Sequence, residues 1–439
     1  MAAKCNPCSI TRRVILSGGV ASLALPAGAA LAQATCDLPQ PARPVEVNTI
    51  SNAFPVLQFL AEQMRSCSRG NLKVETRLTA DNLPQTRVAL QAGGNVPFQV
   101  VQLSNGSFTE FVNRGYLQPI GDLVDKFSAA YDFADIPKGL WDESSFEGNR
   151  YVLPFQSNTH LLFYRKDLFD RHGIAVPTTI AQMIAAARTL KEKESSIEHP
   201  IAMVFGRGWG VATEFANIYQ SLGGTWFADA RGTPSFNDAR GQQAVELMKE
   251  MLPFMSPNAL AFTTDDVMVA FQQGRSAMGI YWASRAANMD APDVSKVPGA
   301  FQFAVSPAAA AGGLPSAALW WDGFAMPKQI AIDRELAFRV AAEGISAATM
   351  RKGANLAYFS RRSVITDPAL IAQNRYWPAV TATIEAGTKI FPPRAYFSLA
   401  HTAVGANIID ALQGRASAKD VLDRAAQQFT REARSQGFF

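Results

Sequence analysis

Phe98-Gln99-Val100-Val101-Gln102-Leu103, closed by Ser104-Asn105-Gly106, is the stretch that decides the fold class. A run this apolar reads as a strand buried on both faces, the mark of a central strand in a sheet covered by helices. The segments upstream carry companion patterns. Val45-Glu46-Val47-Asn48-Thr49-Ile50 alternates apolar and polar residues and reads as a strand, and Leu57, Leu60, Ala61 and Met64 follow at helical spacing. Leu72 to Leu78 reads as a second strand and Leu83 to Gln91 as a short helix stopped by Gly93-Gly94. Strands and helices in alternation make an α/β chain. Each strand ends in small polar residues: Ser51-Asn52, Asp81-Asn82 and Ser104-Asn105. Ligands of open α/β sheets lie just beyond the carboxyl ends of strands. Ser51, Asn52, Asp81, Gln102, Ser104 and Asn105 are therefore candidate binding residues.

Downstream the alternation continues. Tyr151 to Tyr164 reads as one long strand, interrupted by Gln156-Ser157-Asn158-Thr159. A helix is predicted from Ala181 to Glu194, a strand from Ile201 to Phe205, and a Gly-Trp loop over 206–210 before a helix that ends at Gly223-Gly224. Asn237-Asp238 opens another helix. Ser276 to Trp282, Phe301 to Val305 and Asp322 to Met326 read as strands, the last two separated by a soft Ala/Gly stretch. Near the end, Ser417 and Asp420 are placed as helix cap and N3 acid.

The N-terminus reads as an address. Lys4, Arg12 and Arg13 form a positive region, an apolar small-residue stretch runs from Val14 to Ala32, and Ala32-Gln33-Ala34 fits a cleavage site. Ser17, Gly18, Gly19, Pro26 and Gly28 weaken the competing reading as a membrane span. Thr11-Arg12-Arg13-Val14-Ile15-Leu16 resembles a twin-arginine export signal, with Ser17 where a lysine often stands. Residues 1–34 are thus expected to be removed on export to the periplasm. Of 439 residues, 48% are hydrophobic and 18% charged, which excludes disorder for the bulk of the chain. The length suggests two or three domains. The net charge of +4 includes no basic block, so a nucleic-acid partner is not expected. Removing the address leaves 38 basic against 37 acidic residues. It also removes Cys5 and Cys8. In an oxidising compartment Cys36 and Cys67 are expected to pair, the alternative being two free thiols.

Catalytic and metal signatures are missing. The sequence holds no Gly-x-Ser-x-Gly elbow, Walker loop or His-Glu-x-x-His motif. Its four histidines, at 160, 172, 199 and 401, lack metal-ligand spacing. No cofactor and no metal are expected; Trp209 inside Gly206-Arg207-Gly208-Trp209-Gly210 would obstruct a dinucleotide. Tryptophans instead mark the turns: Trp209, Trp226, Trp282 and the pair Trp320-Trp321 before Asp322. An indole beside polar groups can stack on the C–H face of a sugar while its neighbours bind hydroxyls. The alternative for each is packing in the core.

Several segments together resemble the extracellular solute-binding proteins of bacterial ABC importers, in their sugar-binding, maltose-binding-protein-like group. The most specific is Tyr151-Val152-Leu153-Pro154-Phe155 through Asn158-Thr159 to Leu162-Phe163-Tyr164-Arg165-Lys166-Asp167-Leu168-Phe169, similar to the family's hinge segment. Gly115-Tyr116-Leu117-Gln118-Pro119-Ile120, Phe271-Gln272-Gln273-Gly274-Arg275-Ser276-Ala277-Met278 and Phe324-Ala325-Met326-Pro327-Lys328 add to it. The resemblance implies an α/β periplasmic-binding-protein type II fold, with two lobes, a hinge and an interlobe ligand cleft. By that likeness the first lobe is 35–155 plus 308–350, the second is 160–305 plus 351–439, and the hinges lie near 154–160 and 305–320. Asn158, Trp209, Trp226, Trp282, Trp321 and Asp322 should converge on the cleft. Arg361, beside Arg362, is placed where relatives often carry a ligand-contacting loop, against the alternative of a solvated pair. The implied function is capture of a sugar, polyol or sugar derivative by a soluble periplasmic monomer that delivers it to ABC permease transmembrane subunits. Trp282→Ala should then weaken binding at least tenfold without unfolding the protein. A rival reading is an exported carbohydrate-active enzyme of glycoside-hydrolase type using paired carboxylates, with Asp322 as one member. A third is a ligand-loaded partner of a chemoreceptor.

Overall fold

The computed structural model describes Cys36, residues 38–389 and residues 391–439. The expected export segment, 1–34, with Cys5 and Cys8, lies outside the described residues.

Two sheets organise two lobes. In the first, β1 (Val45–Ser51), β2 (Leu72–Leu78) and β3 (Val100–Ser104) are parallel, with β1 between the other two. The helices α1 (Pro55–Arg65), α2 (Asn82–Ala92) and α3 (Asn105–Asn113) follow the three strands in turn. Val100, Val101 and Leu103 are fully buried, as their apolar run requires. Pro55 starts α1, where its missing N–H costs no hydrogen bond, and Leu57, Leu60, Ala61 and Met64 are the buried stripe.

The segment read as one strand from Tyr151 to Tyr164 is two strands in two sheets. β4 (Val152–Asn158) joins the first sheet, and β5 (His160–Arg165) is the centre of the second. Thr159 is the break. Its N–H is taken by the Asn158 side chain at 3.0 Å and its hydroxyl donates to the Ala318 carbonyl at 3.1 Å. Its carbonyl accepts from the Ala283 N–H at 2.8 Å, beside the pairing of β5 with Met278–Trp282, so the chain leaves the first ladder here and enters the second. Helix α4 (Ile180–Lys193) covers the second lobe, and α5 (Trp209–Ser221) runs through it with every residue from Val211 to Ser221 buried. The predicted strand Ile201 to Phe205 is reduced to a single bridge, Ile201 to Met278, made by the Ala202 N–H on the Met278 carbonyl and the Met278 N–H on the Pro200 carbonyl, both at 3.0 Å. Helix α6 (Thr264–Gln272) leads to β6 (Met278–Trp282), and β6 and β7 (Phe301–Val305) flank β5 antiparallel.

The chain returns to the first sheet as β8 (Trp320–Ala325), inserted antiparallel between β3 and β4. Helix α7 (Arg334–Gly344) and the short strand β9 (Tyr358–Phe359) stay with it, and β9 pairs with β4. Residues 358–359, expected in the second lobe, are therefore hydrogen-bonded into the first sheet. Helix α8 (Trp377–Glu385) packs on the second sheet, α9 (Phe397–Asn407) lies beside α5, and α10 (Ala418–Ser435) packs on α9. Ser417 caps α10 by accepting from the Asp420 N–H at 3.1 Å, as predicted. No helix among the described residues is long and apolar enough to cross a membrane.

Cys36 and Cys67 form the expected disulfide, which ties the start of the described chain to the end of α1 across 31 positions. In the chain-entropy model a loop of that size stabilises by about 3–4 kcal/mol. Replacing Cys67→Ser is expected to lower the urea unfolding midpoint of the exported protein. Reductant is expected to lower the wild type to the same value and leave the variant unmoved. A wild type indifferent to reductant would show that the crosslink contributes nothing.

Candidate ligand-binding site

The floor of the site is made by three adjacent strands. Side chains alternate along a strand, so Gln102 and Ser104 of β3, Gln156 and Asn158 of β4, and Trp320 and Asp322 of β8 come to one face. The register puts Asp322 opposite both Ser104 and Gln156, and Trp320 opposite Asn158. Asp322 is the hub. One carboxylate oxygen accepts from the Gln102 amide at 2.8 Å and the other from the Gln156 amide at 2.7 Å. Gln102 in turn accepts from Asn82 at 2.8 Å and from the Asn52 N–H at 3.4 Å. Burial pushes the Asp322 carboxyl up to about 6, and the two amide bonds pull against that shift without cancelling it. At neutral pH it is an ionised acceptor ringed by primary amides, with no cation on it among the described residues.

The second lobe supplies an aromatic wall. Trp209 opens α5 after Gly208, whose φ of +96° is a conformation that glycine adopts freely. The Gly208 carbonyl lies so close to Gly405 of α9 that a Cβ there would sit 2.2 Å from it, so α5 and α9 meet at this point. Trp209, 50% exposed, lies near-parallel to Trp282 with ring centres 5.8 Å apart, and Trp320 closes on each of them at 5.7 Å. Behind them stand His160, 3.9 Å from Trp282, and His401, held 3.2 Å from the Thr213 hydroxyl. Desolvation lowers the two imidazoles to about 3 and about 4, so both are neutral above pH 5. Floor and wall enclose a cavity of about 490 Å³, within the range of small-molecule sites. Asn158 spans it: its side chain accepts from the Ser284 N–H at 3.1 Å and donates to the Ser284 hydroxyl at 3.1 Å.

Asn52, Gln102, Ser104, Asn158, Trp209, Trp282 and Asp322 thus line one cavity. The other candidates do not. Ser51 is buried, with its hydroxyl on the Asn52 carbonyl, and Asn105 turns away to donate to the Leu319 carbonyl at 3.0 Å. Asp81 lines a separate groove with Thr76 and Val88. Trp226 is 1% exposed, edge-on to Phe397 at 5.0 Å in the second-lobe core. Trp321 is fully buried against Phe108, because on β8 it faces away from Asp322, whereas Trp320 shares that residue's face. Arg361 is also fully buried. It donates to the carbonyls of Ile345 and Asp132 at 3.0 and 2.7 Å, so it pins backbone and holds no ligand. Strand alternation around Asp322 and Asn158 would have found Trp320 and Gln156. Asn82, the strand-end neighbour of Asp81, lines the cavity in its place, and Arg87, Glu110, Ser284, Arg285 and His401 line it with no local pattern to mark them. Trp282, only 8% exposed within the cluster, packs too tightly for the expected harmless truncation. Trp282→Ala should cost about 3–5 kcal/mol of stability.

The model of the bacterial extracellular solute-binding proteins matches residues 70–337. The chain belongs to that family. As a solute-binding protein it is similar to the mannitol-binding protein of Pseudomonas aeruginosa, 26% identical over 198 residues, which is 44% of each chain. It is also similar to a probable amino-acid ABC transporter periplasmic-binding protein of Sinorhizobium fredii, 23% identical over 65% of each chain. The matched stretch thus spans between about half and two thirds of these relatives. The crystal structure of an ABC transporter solute-binding protein from Agrobacterium radiobacter, in complex with ribitol, superposes with a TM-score of 0.79 at 23% identity, over 90% of this chain and all of that one. The fold is that of a type II periplasmic binding protein, two lobes about a hinge. The family is defined by binding solutes and not by turnover. Among the described residues no group of three His, Cys, Asp or Glu side chains is placed to hold a metal ion.

The raised pKa of Asp322 has a consequence for stability. Between about pH 4 and pH 6 the folded state holds this proton more tightly than the unfolded chain, so the contribution of Asp322 to stability falls as pH rises through that window. The stability difference between Asp322→Asn and wild type should therefore shift in favour of the variant from pH 4 to pH 7. Urea unfolding midpoints at four pH values measure it, and a difference that stays constant would place the carboxyl at its ordinary pKa.

Proposed function

We propose that this solute-binding protein captures a sugar, polyol or sugar derivative in the cavity and delivers it to the membrane permease of an ABC importer. The observation that carries the reading is the floor itself. Asn52, Asn82, Gln102, Gln156 and Asp322 form one hydrogen-bonded row of amides around a carboxylate, with the Trp320 indole beside it and those of Trp209 and Trp282 on the second lobe. Amides and a carboxylate donate to and accept from hydroxyls, and indole faces cover C–H surfaces. Two of the three relatives, a mannitol-binding protein and a solute-binding protein in complex with ribitol, support the same ligand class, while the third is named for amino acids. The lining offers a glycoside-hydrolase mechanism little, because its second carboxylate, Glu110, is already bonded at both oxygens by Arg87.

In this reading the first lobe comprises residues 36–158 and about 319–360, and the second 159–305 and about 376–439, with the chain crossing between them three times. Ligand bound between the lobes contacts both only in the closed form. It shifts the hinge equilibrium by the difference in affinity for the two forms. A micromolar dissociation constant corresponds to about −8 kcal/mol. Stacking contributes about 0.5–1.5 kcal/mol per aromatic beyond area burial, so the polar floor must supply the remainder. The protein works as an exported periplasmic monomer, its first 34 residues serving as the twin-arginine-like address.

A thermal-shift screen with ribitol, D-mannitol, D-glucose, maltose and a set of amino acids tests the reading. A polyol or sugar is expected to raise the unfolding temperature, and titration calorimetry should give a 1:1 complex. Trp209→Ala should weaken that complex about tenfold with little change in stability, because the indole is half exposed. A rise with amino acids alone would overturn the ligand class, and an unchanged affinity in the variant would remove Trp209 from the site.

A further inference from the structure

Two arginines line the cavity, and neither is free. Arg87 projects from α2 and Glu110 from α3, and the two meet at the cavity edge as a two-pronged pair. Arg87 Nε donates to one Glu110 oxygen and Nη2 to the other, both at 2.8 Å. This is the planar fork that arginine offers to carboxylates, including those of ligands. Glu110 is the more enclosed partner, 11% exposed against 36% for Arg87, and is further held by Arg114, 3.7 Å away one turn along α3. Arg285, across the cavity, has Asp265 at 3.6 Å. The remaining charge is Asp322, whose two oxygens face amides and no cation. An incoming carboxylate would meet an unneutralised negative charge and arginines whose partners are already in place. A hydroxyl meets acceptors and amide donors that suit it.

We infer that Glu110 sets the charge selectivity of the cavity: by occupying the fork of Arg87 it keeps that guanidinium from a ligand carboxylate, so that the site takes neutral hydroxylated ligands and rejects the corresponding acids. This rests on the solute-capture reading above. It goes beyond that reading by assigning the discrimination to one side chain that acts through another, as a positioning residue. Specificity of this kind comes from a penalty built against the wrong ligand as much as from contacts to the right one. Without Glu110, Arg87 would be an unpaired cation at the cavity edge, and binding an acid would satisfy it.

Titration calorimetry at pH 7.5, where Asp322 is ionised, tests this with matched probes: ribitol against ribonate, D-mannitol against D-mannonate, and D-glucose against D-gluconate. The readout is the ratio of acid to neutral dissociation constants. Wild type is expected to bind the neutral member of a pair at least tenfold more tightly. Glu110→Gln should narrow that ratio at least tenfold, and adding Arg87→Gln to it should restore the wild-type ratio. Should Glu110→Gln fail to fold, Glu110→Asp, one methylene shorter, should narrow the ratio in the same direction. An acid bound by wild type as tightly as its neutral partner overturns the inference and leaves solute capture standing. So does a ratio that is unchanged in a folded Glu110 variant, or a gain for the acid that survives removal of Arg87. No binding by any probe would overturn both the capture reading and the inference.

Discussion

A carboxylate that is largely buried without a cation must be surrounded by donors, and Asp322 imposes that condition on the first lobe. Each of its oxygens needs an amide, so Gln102 and Gln156 must be held on either side of it. Only a strand lying between β3 and β4 can put Asp322 there, and that strand is β8, which runs against its neighbours and arrives from the far lobe. The parallel part of the sheet supplies the polar strand ends; the antiparallel insertion turns them into a network. Asn82 and Asn52 are then fixed through Gln102. One desolvated group thus orders the floor, ties the topology to the site and leaves acceptor capacity directed into the cavity.

The second lobe solves a different problem. Three indoles pack on one another and only Trp209 shows a large face to solvent, so the cluster is backed by something rigid. Trp282 ends a strand and rests on His160; Trp209 starts a helix that is buried from Val211 onward. The neutral histidines behind them provide polar surface without a charge that would compete with Asp322. Near the hinge, Asn158 bonds Ser284 and Thr159 bonds Ala318, so residues of the first crossing are tied to the second lobe and to the returning strand. The lobes can then move as bodies while the ligand groups on each keep their internal geometry.

Much of the fold was legible because it rests on local patterns. The apolar run at 100–103, the helical stripe of α1 and the cap at Ser417 lie where periodicity and capping chemistry put them. The break at Thr159 lies inside the polar interruption 156–159, but composition alone does not say that the two halves join different sheets. The site was read in half. Strand-end residues on the inward face, such as Asn52, Gln102, Ser104 and Asp322, could be placed. Ser51, Asn105 and Trp321 stand one position away from a lining residue and so face elsewhere. Trp226 was chosen for its chemistry and Arg361 for its place in the family likeness, yet both are fully enclosed by protein. Arg87 and Glu110, on different helices, meet only in the folded chain, and Arg285 reaches the cavity from the other side, none of which leaves a trace in the order of residues.

The meeting of Gly208 and Gly405 has an implication for how such a pocket can diversify. With a Cβ at 405 only 2.2 Å from the Gly208 carbonyl, any larger residue there would push the start of α5, and the indole it carries, out of place. His401 is one turn of α9 from that contact, so both aromatics are mounted on the same two-glycine joint. Substitution can vary this wall by replacing rings on a fixed mount, whereas the side chains around its edge can change one at a time. The expected pattern among descendants is a constant aromatic backing with a shifting polar fringe.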